Sequence, residues 1–413
     1  MNSSIKEPVI QTSDLIVSLS RAADLVSPAL ASHHLRVAVI AYSIGRELNL
    51  SAAQINDTVL AAALHDVGAF SLAEKTAALQ FELENPHQHA ETGYRLLKSY
   101  SPFSQAADIV RFHHVPSSHG DWFNGNKVAL GSHIVHLADR VAVLVGEQRE
   151  VLGEAREISE KIREQSGKMF VPDLVEAFGS LAEKESFWLD AASPPDLALP
   201  GALAIEADIN ELLGLARLFS RIIDFRSRFT ATHSSGVATS AEQIARFVGF
   251  SERECGMMKV AGYLHDLGKL AVPAEILEKP SELTGTEFNV IRGHTYYTYR
   301  ILAPIEELYD INNWASFHHE RLDGSGYPFH HKGRDLPLGS RIMAVADVFT
   351  AITEDRPYRK GMPEEKAMQV LHRMADKQAL DHDIVYLLKI NFAKINASRT
   401  EAQARAAEEY REY

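Results

Sequence analysis

The sequence predicts an all-α protein built as two copies of one helical domain in tandem, and three observations predict it. A series of histidine and aspartate landmarks occurs twice in the same order, the apolar residues around those landmarks recur at helical steps, and strand signals are few. The first series is His33, the pair His65-Asp66, His89, the pair His113-His114 and Asp139. The second is His233, His265-Asp266, His294, His318-His319 and Asp347. From the first His to the His-Asp pair is 32 residues in both halves, and from the lone His to the His-His pair is 24 in both. The other two gaps, 23 against 28 and 25 against 28, differ as loop insertions would make them differ. Chance explains such a register poorly, and internal duplication explains it directly.

Each element follows from local pattern. After His233, the residues Val237, Ala241, Ile244 and Val248 fall on one helix face, as do Met257, Ala261 and Leu264 ahead of His265. Around Asp347, Ile342, Val345, Ala346 and Phe349 repeat the spacing. Ser251 stands three residues before Glu254, a capping-box signature that opens the helix leading to His265-Asp266. The stretch 208–229 starts a new helix, and a short hairpin is expected around Phe329–Leu338. The segment Ser186–Leu203 holds Pro194, Pro195 and Pro200 and reads as the connection between copies. Domain bounds follow: a first copy over 1–190, a linker over 191–204, a second copy over 205–395 and a tail over 396–413. The last fifteen residues, RTEAQARAAEEYREY, read as a charged helix or frayed tail, a solvated end.

Bulk properties narrow the function. A net charge of −13 argues against a nucleic-acid polymer or an anionic membrane as partner, though local cations and metals can still attract a small anion. No run approaches 18 apolar residues, so no transmembrane span is expected, and MNSSIKEPVIQTSD lacks the basic start and apolar core of a secretory signal. Cys255 is the single cysteine, which excludes an internal disulfide and fits a reducing cytoplasm. The 19 histidines fall in pairs and at helical spacings, which tells against reading them as scattered core residues.

Asp347 sits in a helix that is apolar nearly all round, and Asp266 lies between Leu264 and Gly268. A buried ionised carboxylate is costly unless it is paired or binds a metal. His233, His265, Asp266, His294, His318, His319 and Asp347 lie on separate helices and can converge. Mixed imidazole and carboxylate ligation suits Fe, Mn or Zn better than Ca or Mg. Seven ligands exceed one tetrahedral ion and suit two ions sharing a carboxylate; a polar core network without metal is the alternative.

At these residues the second half resembles the HD-GYP subgroup of the HD-domain phosphohydrolases. The matching text is FTATHSSGVA, YLHDLGKLAVPAEILEKPSELT, the stretch bearing His294, FHHERLDGSGYP and PLGSRIMAVADVFTAITEDRPYRKGM. The resemblance implies hydrolysis of bacterial cyclic dinucleotides, chiefly cyclic di-GMP and in some members 3′,3′-cyclic GMP–AMP. It implies that His233, His265, Asp266 and Asp347 hold one metal and that Asp266, His294, His318 and His319 hold a second, with Asp266 bridging. Iron or manganese is the expected ion, with zinc, nickel or cobalt as alternatives. Some members carry an acidic residue four positions before the first His, supporting a third metal; here that position is Phe229, so two are expected. Thr298 stands where the family usually has Gly.

The chemistry expected of such a centre needs no Ser or Cys nucleophile. Two metals about 3.5–4 Å apart lower the pKa of a bridging water and clamp a phosphodiester for in-line attack. Asp266, as the bridge, and Lys269, one helical turn past His265, are the candidate catalytic residues. Lys269 can also reach a non-bridging phosphate oxygen as a point charge. Arg356 and Arg359 can grip a second phosphate or form surface ion pairs, and Tyr327 can stack on substrate or anchor its loop. In that loop Gly324 and Gly326 supply backbone freedom and Pro328 stiffness.

The first copy keeps every ligand type, so His33, His65, Asp66, His89, His113, His114 and Asp139 form a candidate second metal site. It resembles the broader HD superfamily, yet has Ala69 at the position of Lys269 and neither GYP nor DRPYR. It therefore reads as a metal-bearing regulatory or vestigial domain, with a second enzyme of different specificity as the alternative. His87, His119, His133 and His136 have no counterpart and are assigned to surface or packing. Rival functions for the whole chain are a nucleotidase or di-iron oxygenase of the HD superfamily, and a scaffold that binds the nucleotide without cutting it. Oligomeric state stays open, with a homodimer the form allowed for.

Overall fold

The computed structural model describes residues 10–25, 32–71, 74, 77–81, 87–120, 122–146, 150–195, 206–225, 232–279, 281–356 and 359–411. Phe229, Pro200, Pro357 and Tyr358 lie outside the described residues, and with Phe229 goes the expectation of two metals in place of three. The chain divides into two compact units, Gln11–Ile205 and Glu206–Tyr413, with Ile10 belonging to the second. Both are helical, as the sequence predicts. Extended structure among the described residues amounts to two-residue strands. Trp122–Phe123 and Asn126–Lys127 form an antiparallel hairpin whose turn residues, Asn124 at φ 48° and Gly125 at φ 78°, are the asparagine-glycine pair such turns favour.

The two units repeat each other element by element. In the first, the helix His33–Glu47 packs against Ala52–Leu64 and Leu130–Gly146; in the second, His233–Val248 packs against Glu252–Leu264 and Leu338–Thr353. The predicted capping box forms, Ser51 doing with Gln54 what Ser251 does with Glu254. Each of these capped helices runs to the residue before its His-Asp pair, which sits in the turn that follows. That turn presses on the helix bearing the lone His. A Cβ on Gly68 would come within 2.1 Å of the His89 carbonyl oxygen, and one on Gly268 within 1.9 Å of the His294 carbonyl oxygen. Glycine is required at both positions for close backbone approach.

Three expectations need correction. The connection does not begin at Ser186, because Glu185–Ala192 is a helix with Phe187 and Trp188 buried against its own unit. No hairpin forms at Phe329–Leu338, where the only regular element is the 3-10 turn Gly333–Asp335. Pro337 has no N–H to donate to a ladder, and positive φ at His330 and Gly333 breaks the alternation. The last helix, Phe392–Arg411, is not a solvated end. It packs along His233–Val248, with Ile395, Arg399 and Gln403 buried, Phe225 stacked on Tyr410, and Glu409 bonded to Arg217 and Arg221. Its charged residues include groups that face inward, which composition does not reveal.

Replacing Gly268 by Ala tests the packing argument. The added methyl meets backbone, which cannot swing aside, so about 1–3 kcal/mol of stability or more is lost. Thermal unfolding of the full chain should show a melting temperature lower by several degrees; an unchanged melting curve would contradict the close approach.

Candidate metal centre

Five elements of the second unit deliver the expected ligands. His233 opens the helix His233–Val248, His265 and Asp266 occupy the turn after Glu252–Leu264, and His294 lies on Gly285–Leu302. His318 and His319 follow Tyr309–Ser316, and Asp347 lies on Leu338–Thr353. Ligand atoms of His233, His265 and Asp347 lie within 4.8 Å of one another, and so do those of His294, His318 and His319. Asp266 stands between the groups. Its Oδ2 is 3.2 Å from His265 Nε2, and its Oδ1 is 3.4 Å from His294 Nε2. The geometry is that of two ligand groups with one carboxylate facing both, and imidazole with carboxylate is a donor set for divalent transition metals.

The rings are held in the orientation that ligation needs. His265, His294 and His318 each direct Nδ1 at the carbonyl oxygen three residues earlier: Gly262 at 2.8 Å, Ile291 at 2.6 Å and Ala315 at 2.6 Å. An Nδ1–H donating there leaves Nε2 with its lone pair toward the centre. His233 is fixed differently. Its Nε2 is 3.1 Å from Asp347, and its Nδ1 lies 3.2 Å from both oxygens of Glu354. Glu354 is buried and also accepts from Gln403 at 2.9 Å and from Arg356 at 2.8 and 3.0 Å. The C-terminal helix thus reaches a metal-ligand candidate through one carboxylate. Sequence reasoning missed Glu354; its signal was an acidic residue seven positions past Asp347, at the end of the same helix, where it is the C-cap.

Charge follows this arrangement. Burial drives the pKa of His294 down to about 3, and lowers His318 and His319, so all three are neutral and ready to donate. Burial would raise Asp266, but His265, Lys269 and His294 around it hold its carboxyl well below the usual range. Burial would lower His233, yet Glu354 and Asp347 outweigh it and push the ring up to about 10. A metal taking His233 therefore displaces a proton. Asp224, another residue missed from sequence, ends the preceding helix beside this site; burial raises its carboxyl to about 7, and it accepts from Ser234 at 3.0 Å.

Thr298 has a structural role. Its hydroxyl accepts from the Gly268 N–H at 2.9 Å and lies 3.1 Å from the His265 carbonyl, tying the His-Asp turn to the helix of His294. The first unit has Gly93 there instead. Around the centre, Lys269 Nζ lies 2.5 Å from Asp266 Oδ2, with its side chain 19% exposed. The ring of Tyr327 is 5.0 Å from that of His319, and the Arg292 guanidinium lies over the Tyr327 ring, 4.7 Å from its centroid. The loop is anchored by Glu320, which accepts from the N–H groups of Phe329 and His330. Arg356 departs from the phosphate-gripping expectation: its guanidinium is engaged on Glu354. Arg359 is exposed and donates to the Ala351 carbonyl at 2.6 Å.

A family profile described as an HD domain matches residues 217–384, and a second HD-domain profile matches 30–144. A 3′3′-cGAMP-specific phosphodiesterase of Vibrio cholerae is 30% identical over 385 residues, 89% of this chain and 88% of that protein. The chain belongs to the HD-GYP family of HD-domain phosphodiesterases. A cyclic di-GMP phosphodiesterase of Pseudomonas aeruginosa is 36% identical over 192 residues, 46% of this chain and 44% of that one. The crystal structure of a cyclic GMP-AMP-specific phosphodiesterase of V. cholerae superposes with a TM-score of 0.64 at 25% identity, covering 92% of this chain and 97% of that chain.

The first HD copy also assembles its series. Asp66, His89, His113 and His114 form one group, and His33, His65 and Asp66 another, with Asp139 Oδ1 3.4 Å from His33 Nε2. His65 and His113 use the same carbonyl contacts as their counterparts, to Ala62 at 2.8 Å and Val110 at 2.6 Å. His33 lacks the Glu354 device. His34 and Asp24, 2.5 Å apart, repeat the Ser234–Asp224 pair. His133 and His136 are buried in the helix of Asp139, while His87 and His119 pack near Phe123.

Two substitutions check this HD centre. Glu354→Gln removes the charge that holds His233 and should weaken metal binding by about 10–100-fold, as loss of a partner behind a ligand does. Titration of the apo chain with a divalent metal measures it, and an unchanged affinity would refute the role. Thr298→Val leaves a buried N–H unmet and should cost about 1–3 kcal/mol in unfolding, with Thr298→Ser recovering most of it.

Proposed function

We propose that the second HD copy hydrolyses a cyclic dinucleotide at a two-metal centre, with 3′,3′-cyclic GMP–AMP the preferred substrate and cyclic di-GMP the weaker one. The observation carrying the mechanism is Asp266 facing both ligand groups at once, one oxygen to each. His233, His265 and Asp347 would hold one ion, His294, His318 and His319 the other, and Asp266 both. Such a pair, when bound, supplies an activated water and a clamp on the phosphodiester. Fe or Mn fits this donor set, as do Zn, Ni and Co.

The protein's own groups do the rest. Lys269, at the partly open edge beside Asp266, balances charge on a non-bridging phosphate oxygen. Tyr327, beside His319, offers a ring for a base or a hydroxyl for a phosphate. Arg359, exposed, is the arginine left to meet the second phosphate, while Arg356 supports Glu354. Substrate preference rests on the V. cholerae relative that aligns across both copies and is cGAMP-specific by name, whereas the P. aeruginosa cyclic di-GMP relative aligns with less than half of the chain. A scaffold that merely binds nucleotide would not need the lysine against the shared carboxylate.

Lys269→Ala should keep its metal content while kcat/KM falls by roughly 10²-fold or more, as removal of a charge stabiliser in an enclosed site does. Wild-type turnover in that variant would remove Lys269 from the mechanism. With equal concentrations of the two dinucleotides and metal-loaded full chain, chromatography should show 3′,3′-cyclic GMP–AMP consumed first. Faster loss of cyclic di-GMP would reverse the assignment.

A further inference from the structure

The two copies carry their buried cation in different places. The second has Lys269 on Asp266, with the lysine side chain 19% exposed. The first has Ala69 there and, next to Asp139, Arg140 where the second has Val348. The Arg140 side chain is 1% exposed. Its Nη2 donates to Asp139 at 2.5 Å and to the Ala78 carbonyl at 2.8 Å, and its Nη1 to the Gln80 carbonyl. One guanidinium therefore fastens a candidate ligand carboxylate to the backbone at Ala78 and Gln80.

Inside, the ligand atoms face chiefly one another, with His33 Nε2 3.4 Å from Asp139 Oδ1 and His89 Nε2 3.2 Å from Asp66 Oδ1. His33 Nε2, His65 Nε2, Asp66 Oδ1, His113 Nε2 and Asp139 Oδ1 are buried with no hydrogen bond. One such atom costs about 1–3 kcal/mol when left unmet, so a group of them around one point is built for a cation. Access differs as well. Asp347 is 13% exposed in the second copy, whereas Asp139 is 1% exposed, and the most open ligand of the first copy is His89 at 10%. A small ion suits so enclosed a site, whereas a dinucleotide phosphate would need the exposed edge that Asp347 has and Asp139 lacks.

We propose that the first copy keeps a divalent transition-metal pair as a closed, non-hydrolysing centre, and that Arg140 is the residue that shuts it. Its guanidinium forks across two carbonyls and a carboxylate, so it ties Asp139 to Ala78 and Gln80. The inference rests on first-copy residues alone and is independent of what the second copy cleaves.

The test is metal release from full-length, cobalt-loaded protein into a chromogenic chelator. Wild type should release in two phases, the slower one absent in Asp66→Ala and so assigned to the first copy. Arg140→Gln should speed the slow phase by about 10–100-fold, the range for loss of a partner behind a ligand, without changing the fast phase or phosphodiester turnover. If that variant does not fold, Arg140→Lys, which keeps the charge but loses the fork, should shift the slow phase the same way. A single phase in wild type, or a slow phase untouched by substitution of Arg140, overturns the proposal.

Discussion

Asp266 turns its two oxygens in different directions, toward His265 and toward His294, from a side chain that is only 4% exposed. An ionised carboxylate in such a place is stable only where cations or donors surround it. Lys269 and the ring nitrogens supply that surrounding, and they hold the carboxyl well below its usual range against the opposing effect of burial. The local fold serves this one group. The capped helix delivers the His-Asp turn, Gly268 lets it touch the helix of His294, and Thr298 bonds the contact from the other side.

The same constraint explains what duplication kept and what it let go. Both copies keep the glycine after the His-Asp pair, the capping box and the carbonyl contacts of the middle histidines, because these set backbone and ring positions. The groups outside the ligand series diverged. Lys269 became Ala69, Val348 corresponds to Arg140, and the partner of His233 has no match at His33. Ligand geometry is shared, while access and charge around it are separate designs.

Most of the clustering of the candidate ligands was legible in the sequence because spacing carries it. Helical period places His233, Asp347 and the capped helix correctly, and the register between halves identifies the rest. What lay beyond reading were contacts between residues distant in the chain. Glu354 meets Gln403 across 49 positions, and Arg140 meets Ala78 across 62, with no local pattern to announce either. Composition misled at the C-terminus, where a charged sequence hides Arg399 and Gln403 on its inner face. It misled again at Ser186, where nearby prolines concealed a buried Trp188. No helix among the described residues is long and apolar enough to cross a membrane, as hydropathy along the chain predicted.

We place hydrolysis in the second copy alone, through the carboxylate shared by its two candidate ligand groups. Paired substitution in the full chain tests it most directly. Metal-loaded wild type, Asp66→Ala and Asp266→Ala are given 3′,3′-cyclic GMP–AMP, and products are followed by chromatography alongside metal content. Asp66→Ala should keep most of the activity, while Asp266→Ala should lose activity together with second-copy metal. Turnover that survives Asp266→Ala and disappears in Asp66→Ala would contradict it.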